Sequence, residues 1–316
     1  MPRSAILSIF AGALLFLVQT NVAAQVDSSY VERYNHPLSI KVYTQYKFME
    51  LEHQYGKIED SFNSNNPMSV GVGITWKKVS VSGSVSISPL RDKKRGKTKS
   101  FDFQHHYYGQ KFVSDIFVQH YEGFYQKDDE TNDVLAICPD INVTRYGGSG
   151  QYIFNNKRFS YTAAFNNNAR QIRSAGSFHL GGNVFYTRIT SDSSLVYKDN
   201  YKQKNLQVGI VGGYTHSWFI KRWYITASLT AGVNLGTDNI SEFYRSKVNV
   251  YPSVLPRIAA GYYGDDWTVS VSGVFYNSSL IKTKEDKLNL SSGLVQLSFT
   301  KRLDFKSKFL DKITFQ

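Results

Sequence analysis

Apolar and polar residues alternate one by one along much of this chain, in segments of about 10 to 14 residues. The alternation is clearest over residues 68–76, 79–88, 223–236 and 267–275. Successive side chains of a β-strand point to opposite faces of a sheet, so each segment predicts a strand with one apolar and one polar face. The polar faces consist of Ser, Thr, Gly and Asn rather than the Lys and Glu typical of a solvated surface.

The connections between such segments alternate between short turns and long polar loops. The candidate strands are 38–51, 68–77, 78–88, 98–108, 111–125, 141–154, 158–166, 176–190, 204–219, 223–236, 248–263, 267–276 and 290–305. This rhythm is typical of an antiparallel up-and-down transmembrane β-barrel, which has an even number of strands. The alternation of short turns with long loops breaks down between residues 158 and 204. If 159–165 is a plug or loop strand, the barrel has about twelve strands, which is our prediction; about 10 or 14 strands stay open.

Aromatic residues favour a membrane barrel over a soluble domain. The chain has 22 Tyr and 21 Phe but only 7 Pro, a mixture that suits long strands with aromatic girdles at two membrane interfaces. Trp76, Trp223 and Trp267 each stand at a strand end beside a short turn, so we expect them at a membrane interface. A secreted soluble β-sandwich remains an alternative, because alternation alone does not reveal whether the apolar face meets a core or lipid.

The N-terminus is typical of a cleavable signal peptide. A basic start at Arg3 is followed by an apolar run over 5–18 and by small residues at 22–24, where a signal peptidase cuts. The run is shorter than the ~20 residues of a membrane-spanning helix. We therefore expect outer-membrane localisation after cleavage. The expected divisions are a signal peptide at 1–24, an N-terminal periplasmic segment at 25–37, the barrel at 38–305, and a basic C-terminal tail or part of the last strand at 306–316.

Net charge and the last strand indicate envelope partners. The formal charge of +12 favours contact with lipopolysaccharide or with a small polar or anionic solute, and no motif suggests nucleic acid. Residues 295–305 alternate toward a terminal aromatic, much like the signal that the barrel-assembly machinery reads. One loop is strongly basic and is either a solvated loop or a binding surface for lipopolysaccharide phosphates: Arg91, Lys93, Lys94, Arg95 and Lys97.

Scattered motifs in the middle of the chain resemble a known family. The matching residues are Gly96-Lys97-Thr98, Asp102, Gln104, Tyr108, Asp115, Gln119, Tyr121, Gly123-Phe124-Tyr125, Phe159-Ser160-Tyr161, Phe165, Gln171 and Ser174-Ala175-Gly176-Ser177. They are similar to domain-of-unknown-function family 4421, a group of Bacteroidota envelope proteins. The resemblance implies an outer-membrane β-barrel, extends over most of the mature chain, and implies no activity.

A polar network inside the barrel is the main candidate site. Asp102, Gln104 and His106 share one strand face, and Asp115 and Gln119 share a face of the next strand. A charged side chain on the lipid face destabilises a barrel, so both aspartates should point inward toward basic partners. The candidate partners are Arg145, Arg170, Arg173 and Arg257. Such a network is a selectivity filter, a binding site or a structural polar core.

Catalytic and metal motifs are weak. His179 and Ser177 share a strand face and are the best nucleophile–base candidate, whereas His216 and Ser217 point to opposite faces. No spacing predicts a metal site or a cofactor, and Cys138 is predicted to be a free thiol in a loop. We therefore expect a non-enzymatic, porin-like narrow channel, ligand-binding barrel or envelope structural barrel. A lipid-modifying outer-membrane hydrolase is the enzymatic alternative.

Overall fold

The computed structural model describes residues 26–34, 36–76, 79–128, 131–195, 200–237, 240, 248–282 and 286–305. The strands are β1 Val31–Arg33, β2 Leu38–Tyr55, β3 Ile58–Asn63, β4 Ser69–Trp76, β5 Val79–Ser86, β6 Lys99–Tyr108, β7 Phe112–Lys127, β8 Val134–Ile153, β9 Ala169–Gln171, β10 Ala175–Ser191, β11 Tyr201–Ile220, β12 Trp223–Thr237, β13 Val248–Tyr263, β14 Trp267–Lys282 and β15 Asp286–Leu303. Short 3-10 turns span Ser88–Leu90 and Lys93–Arg95, and a π-helix spans Thr162–Asn166. The expected signal peptide and C-terminal tail lie outside the described residues.

Antiparallel pairing closes the sheet on itself, because the last strand pairs with β2 from Leu303↔Leu38 to Asp286↔Tyr55. Within the described part of the chain, the closed ring contains ten strands in the order β2, β3, β7, β8, β10, β11, β12, β13, β14, β15. The predicted antiparallel transmembrane barrel is confirmed. We call the end with the turns at 109–111, 221–222 and 264–266 the turn end, and the opposite end, with the connections at 87–98 and 192–200, the loop end.

The wall is incomplete on one side. β3 pairs with the second half of β2, and β4 pairs with the first half, so the two act as one strand interrupted at residues 64–68. β5 pairs with β4, and β6 pairs with β7. With β3 and β4 taken together, twelve of the described strands line the wall, against a prediction of about twelve, and ten of the described strands form the closed ring. Among the described residues no backbone pairing joins β5 to β6, and we call this gap the seam.

The stretch 52–67, predicted as a loop, contains the end of β2 and all of β3.

The outer surface of the barrel is apolar, and the inner surface is polar. Ile210 is 69% exposed and Val233 is 60% exposed, whereas Thr215 and Thr226 on the same two strands are fully buried. A soluble sandwich would bury the apolar faces, so that alternative is wrong and the apolar face meets lipid. Within the described part of the chain, no helix is both long and apolar enough to cross a bilayer.

The three predicted interface tryptophans differ in position. Trp223 is 62% exposed, and Tyr262 lies between it and Trp267 on the barrel exterior at the turn end, with ring centroids 5.0 and 5.5 Å apart. Trp76 is only 8% exposed and packs edge-on against Phe305. Trp223 and Trp267 therefore form an exterior aromatic patch of the kind expected at a membrane interface, and Trp76 is covered.

An apolar core fills the lumen at the loop end. Its buried members are Met49, Leu51, Phe62, Tyr121, Phe124, Cys138, Ile141, Val143, Ile189, Leu195, Leu280, Ile281, Leu288 and Leu290. Cys138 is a free thiol that is 3% exposed, and it lies in β8 rather than in the predicted loop, because β8 already begins at Val134. We call this cluster the loop-end core.

A plug fills the lumen at the turn end. It consists of residues 26–34 and 154–174, which are joined by pairing of β1 with β9. Asn167 holds the plug to the wall: its side chain donates to Ser270 Oγ at 2.8 Å and accepts from Tyr224 Oη at 2.9 Å. Tyr263 Oη donates to the Ala163 carbonyl at 3.0 Å. The segment 159–165 is therefore part of a plug and not a wall strand, and the lumen is packed at both ends.

Candidate functional site in the barrel lumen

Cross-strand register brings the predicted lumen residues into two rows. In the first row, Asp102 on β6 lies opposite Gln119 on β7, which lies opposite Arg145 on β8. In the second row, His106 lies opposite Asp115, and the inward pair of Gln104 and Phe117 lies between the two rows. Both rows face the lumen at mid-height, because β6, β7 and β8 alternate in and out in the same phase.

Asp115 is the centre of a charged cluster in the second row. It accepts hydrogen bonds from Arg257 Nη2 and from His106 Nδ1, the latter at 2.6 Å. Arg257 also donates to Tyr108 Oη at 3.3 Å. The sequence placed Asp115 inward with Arg257 as one possible partner, and the structure brings these two together. The carboxylate is thus neutralised by charge-assisted bonds inside the lumen.

Asp102 is the centre of the first row. Its carboxylate accepts from Gln104 Nε2 at 2.8 Å, from Gln119 Nε2 at 3.1 Å and from Tyr121 Oη at 2.9 Å. Lys47 Nζ completes the shell at 3.2 Å. Sequence reasoning missed Lys47, although its alternation with Gln45 and Met49 on β2 already indicated a lumen-facing position. Asp102 therefore has a full set of protein partners.

Arg145 does not fill the expected role of an ion-pair partner. It is 1% exposed, no carboxylate among the described residues pairs with it, and its Nε has no hydrogen-bond partner. Its guanidinium instead lies 4.0 Å from the ring centroid of Tyr276, 5.0 Å from that of Phe117 and 5.2 Å from that of Phe185. Aromatic faces offset part of the desolvation of a cation, but each such contact contributes only about 0.5–2 kcal/mol. This buried guanidinium thus has no counter-anion among the residues that the structure describes.

Gly147 makes this aromatic arrangement possible. Phe117 and Phe185 stack across it with centroids 5.7 Å apart. A Cβ at position 147 would lie 2.4 Å from atoms of both rings, which no side chain tolerates without moving them. Glycine at this register position therefore sets the surroundings of Arg145. Alternation identified none of Phe117, Phe185, Tyr276 or Gly147 as site residues.

A cavity of about 100 Å³ lies between the two rows and the opposite wall. Its ionisable lining residues are His106, Asp115, Arg145 and Arg257. Its remaining lining is part amide and hydroxyl, part aromatic and aliphatic: Gln104, Phe117, Gln119, Ser149, Gln151, Asn183, Phe185, Val211, Thr230, Gly232, Ser253, Leu255, Val274, Phe275, Tyr276, Ser292, Gly293 and Leu294. Asp115 bonds to both His106 and Arg257, and Arg145 is the remaining ionisable group of the lining.

The candidate catalytic pair is engaged in structural contacts. His179 Nδ1 lies 2.6 Å from Gln151 Oε1, and its Nε2 lies 3.3 Å from Thr215 Oγ1. Ser177 Oγ donates to the Phe178 carbonyl at 2.7 Å, and no bond between Ser177 and His179 is present. Both residues are 2% exposed. No group of three or more metal-ligating side chains occurs among the described residues.

The remaining predicted basic residues lie away from the cavity. Arg170 belongs to the plug and lies 3.9 Å from Glu32, and Arg173 stacks over Tyr30. In the loop 87–98, Arg95 pairs with Asp92 at 3.2 Å and covers the Tyr125 ring. Arg91 is half-buried, while the solvent-exposed cations of that loop are Lys93, Lys94 and Lys97.

The closed sheet, its apolar exterior and its packed polar lumen define a transmembrane β-barrel with an internal polar site. The profile of the family described as Domain of unknown function (DUF4421) matches residues 25–300, and the chain belongs to this family. The family resemblance inferred from the sequence is thereby confirmed. No curated protein matches the chain.

Solved outer-membrane proteins give distant structural likenesses. The outer membrane protease OmpT from Escherichia coli superimposes with a TM-score of 0.38 at 8% identity, over 90% of this chain and 100% of its own. The toluene transporter TodX of P. putida gives 0.29 at 7% identity, over 86% and 91%. OmpT of Vibrio cholerae, an outer membrane protein, gives 0.25 at 7% identity, over 84% and 99%. At these scores the proteolysis and transport stated of those proteins are not transferred to this chain.

Proposed function

We propose that the protein is a non-enzymatic outer-membrane barrel that binds a small organic anion in its mid-lumen cavity. The observation that carries the proposal is Arg145, a fully buried guanidinium that faces the cavity and has no carboxylate partner among the described residues. An unpaired buried charge is strongly unfavourable. A ligand carboxylate would supply the missing counter-charge, and the rings around Arg145 would contact its apolar part.

Packing at both ends favours a binding barrel over a permanently open channel. The loop-end core closes one mouth with apolar side chains, and the plug closes the other through buried contacts. The cavity between them has a volume of about 100 Å³, far smaller than the aqueous channel of a wide porin-type lumen. We expect no steady single-channel conductance from the protein in planar bilayers.

A hydrolase is the less favoured candidate. The best nucleophile–base pair would be Ser177 and His179, but each has other hydrogen-bond partners and neither reaches the cavity lining. Covalent catalysis requires the nucleophile and base to bond to each other next to bound substrate.

Localisation and envelope partners are part of the proposal. The N-terminal 24 residues would direct export, and the barrel-assembly machinery would insert the apolar wall into the outer membrane. The loop end would face outward. There the exposed lysines of the 87–98 loop, Lys93, Lys94 and Lys97, would contact lipopolysaccharide phosphates.

Ligand titration tests the site. Folded protein in detergent is titrated with benzoate by calorimetry, with benzyl alcohol as the uncharged probe. We expect benzoate to bind and Arg145→Gln to weaken binding by about tenfold or more, the effect of losing a hydrogen bond to a charged group. Arg188→Gln is the matched control, because Arg188 is exposed on the outer face of β10. Equal binding of benzoate by wild type and Arg145→Gln, or no binding at all, would contradict the proposal.

A further inference from the structure

The seam between β5 and β6 exposes a part of the lumen face that is buried elsewhere. Ser82 and Ser84 on β5 pair with Gly73 and Gly71, so they face inward, and Ser84 Oγ accepts from Gln45 Nε2 at 3.0 Å. Both serines are exposed. Inward serines on complete parts of the wall, such as Ser228 and Ser270, are 5% and 6% exposed. The lumen is therefore open sideways at the seam.

The opposite edge of the seam leads directly to the cavity. Gln104 and His106 on β6 face inward and line the cavity beside Asp115. The His106 side chain is 35% exposed even though its Nδ1 bonds to Asp115. A solute that passes between β5 and β6 therefore meets Gln104 and His106 first. Phe117 and Arg145 lie on the next two strands beyond them.

The seam opens at the height of the apolar exterior. On its β6 side Phe101 and Phe103 point outward and are 60% and 52% exposed. On its β4–β5 side Val72 and Val85 point outward and are 51% and 73% exposed. Backbone groups on unpaired strand edges are tolerated at membrane depth only where they line a cavity or are covered. Here the β6 edge lines the cavity, and the outward side chains on both edges are apolar, so the seam opens at the level of the apolar wall.

Resting on the proposed function, we infer that the ligand reaches the cavity sideways from the membrane, through the seam. Its chemical class is then a membrane-soluble carboxylic acid with an apolar body. The body partitions into lipid and slides between the outward aromatic and aliphatic side chains. The carboxylate pairs with Arg145, and the apolar body lies against Phe117 and Phe185.

Photo-crosslinking in liposomes tests the route. The full-length protein is reconstituted and exposed to a dodecanoic acid that carries a diazirine, or to the matching dodecanol, and labelled peptides are identified by mass spectrometry. We expect the acid to label the lumen faces of β7, β8 and β10, with little lumen labelling by the alcohol. Ser84→Trp, which narrows the seam from inside, should reduce lumen labelling about tenfold or more.

Gly83→Trp is the matched control. It adds the same ring one residue away on the lipid face, where a Cβ meets nothing within 4 Å. The acid should label the lumen of this variant as it labels that of the wild type. Heat-modifiable gel migration verifies that each variant is folded. If Ser84→Trp does not fold, Ser84→Cys in a Cys138→Ala background replaces it. Occupancy of the seam by the acid should then slow maleimide labelling of Cys at position 84.

The outcomes separate the two proposals. Lumen labelling that Ser84→Trp leaves unchanged, or failure of the acid to protect the cysteine, overturns the lateral route. Equal lumen labelling by acid and alcohol overturns the carboxylate class. Absence of lumen labelling together with Arg145-dependent benzoate binding in detergent overturns only this inference. Absence of both overturns the proposed function as well.

Discussion

Arg257 on β13 and Asp115 on β7 form an ion pair between strands that lie five steps apart in a ring of ten, on opposite walls of the barrel. Their side chains are 9% and 13% exposed. The bond therefore crosses the lumen and ties the two walls together at mid-height. Barrel pairing alone fixes neighbours along the wall, and this contact fixes the distance across it.

Removal of one partner of this pair should destabilise the barrel. Arg257→Met leaves the buried Asp115 carboxylate with His106 as its one remaining partner among the described residues, and we expect the free energy of unfolding to fall by about 3–5 kcal/mol. Urea unfolding of the detergent-folded protein measures this loss of stability, with heat-modifiable gel migration as the readout of the folded fraction. Arg222→Met removes an exposed turn pair with Asp265, 46% and 85% exposed, and should change stability by less than about 1 kcal/mol. A similar loss in both variants would show that the lumen pair contributes no more to stability than an exposed pair.

Substitution of Arg145 should abolish ligand binding but have little effect on the free energy of unfolding. Arg145→Met removes an unpaired buried charge and keeps an apolar side chain among the rings, so the unfolding free energy of the ligand-free protein should fall by no more than about 1 kcal/mol or should rise. Benzoate binding should be lost in the same variant. Urea unfolding and calorimetry on one preparation give both quantities. A large loss of stability would instead assign Arg145 a structural role.

Gly147 should be intolerant of any side chain. Gly147→Ala forces Phe117 and Phe185 apart, because a Cβ would lie 2.4 Å from both rings. We expect overpacking to cost about 1–3 kcal/mol and benzoate binding to weaken. Gly150→Ala on the same strand is the control, since its Cβ meets nothing within 4 Å. Equal unfolding midpoints for the two variants would refute the close approach.

Cys138 should report on the loop-end core. Its thiol is 3% exposed in that core, so a maleimide should react with it slowly in the folded barrel and fully after boiling in detergent. The chain has 1 Cys, so the intact mass after labelling measures the reaction without background. Phe124→Ala should open a void beside the thiol and speed labelling of the folded protein. Rapid labelling of the wild type would mean that this end of the lumen admits solute.

The wall was predictable from the sequence, and most contacts across the lumen were not. Period-two alternation identified the inward faces of β6 and β7, so the orientation of Asp102 and Asp115 followed from the residues alone. It could not tell which of four arginines meets Asp115, because that depends on which strands face each other after the ring closes. For the same reason, alternation did not reveal that Lys47, which the sequence did not single out, pairs with Asp102 while the candidate partner Arg145 does not.

The sequence offered residues 159–165 as a plug or loop strand, but the full extent of the plug and the interrupted strand were not predicted, for a different physical reason. Residues 159–165 have strand-like aromatic alternation, but their rings pack in a buried cluster between the plug and the wall rather than against lipid. Residues 52–67 are polar enough to read as a loop, yet β3 pairs with both β2 and β7 and completes the ring at the loop end. In both stretches tertiary pairing overrides the local pattern.

The plug includes β1, which precedes β2 in the chain but pairs with β9, inside the ring that β2 and β15 close. The closed ring therefore encloses the segment that precedes its first wall strand. Because β1 pairs with β9 about 140 residues away, the plug is a contact of high sequence separation, and we expect it to form more slowly than the neighbouring hairpins of the wall.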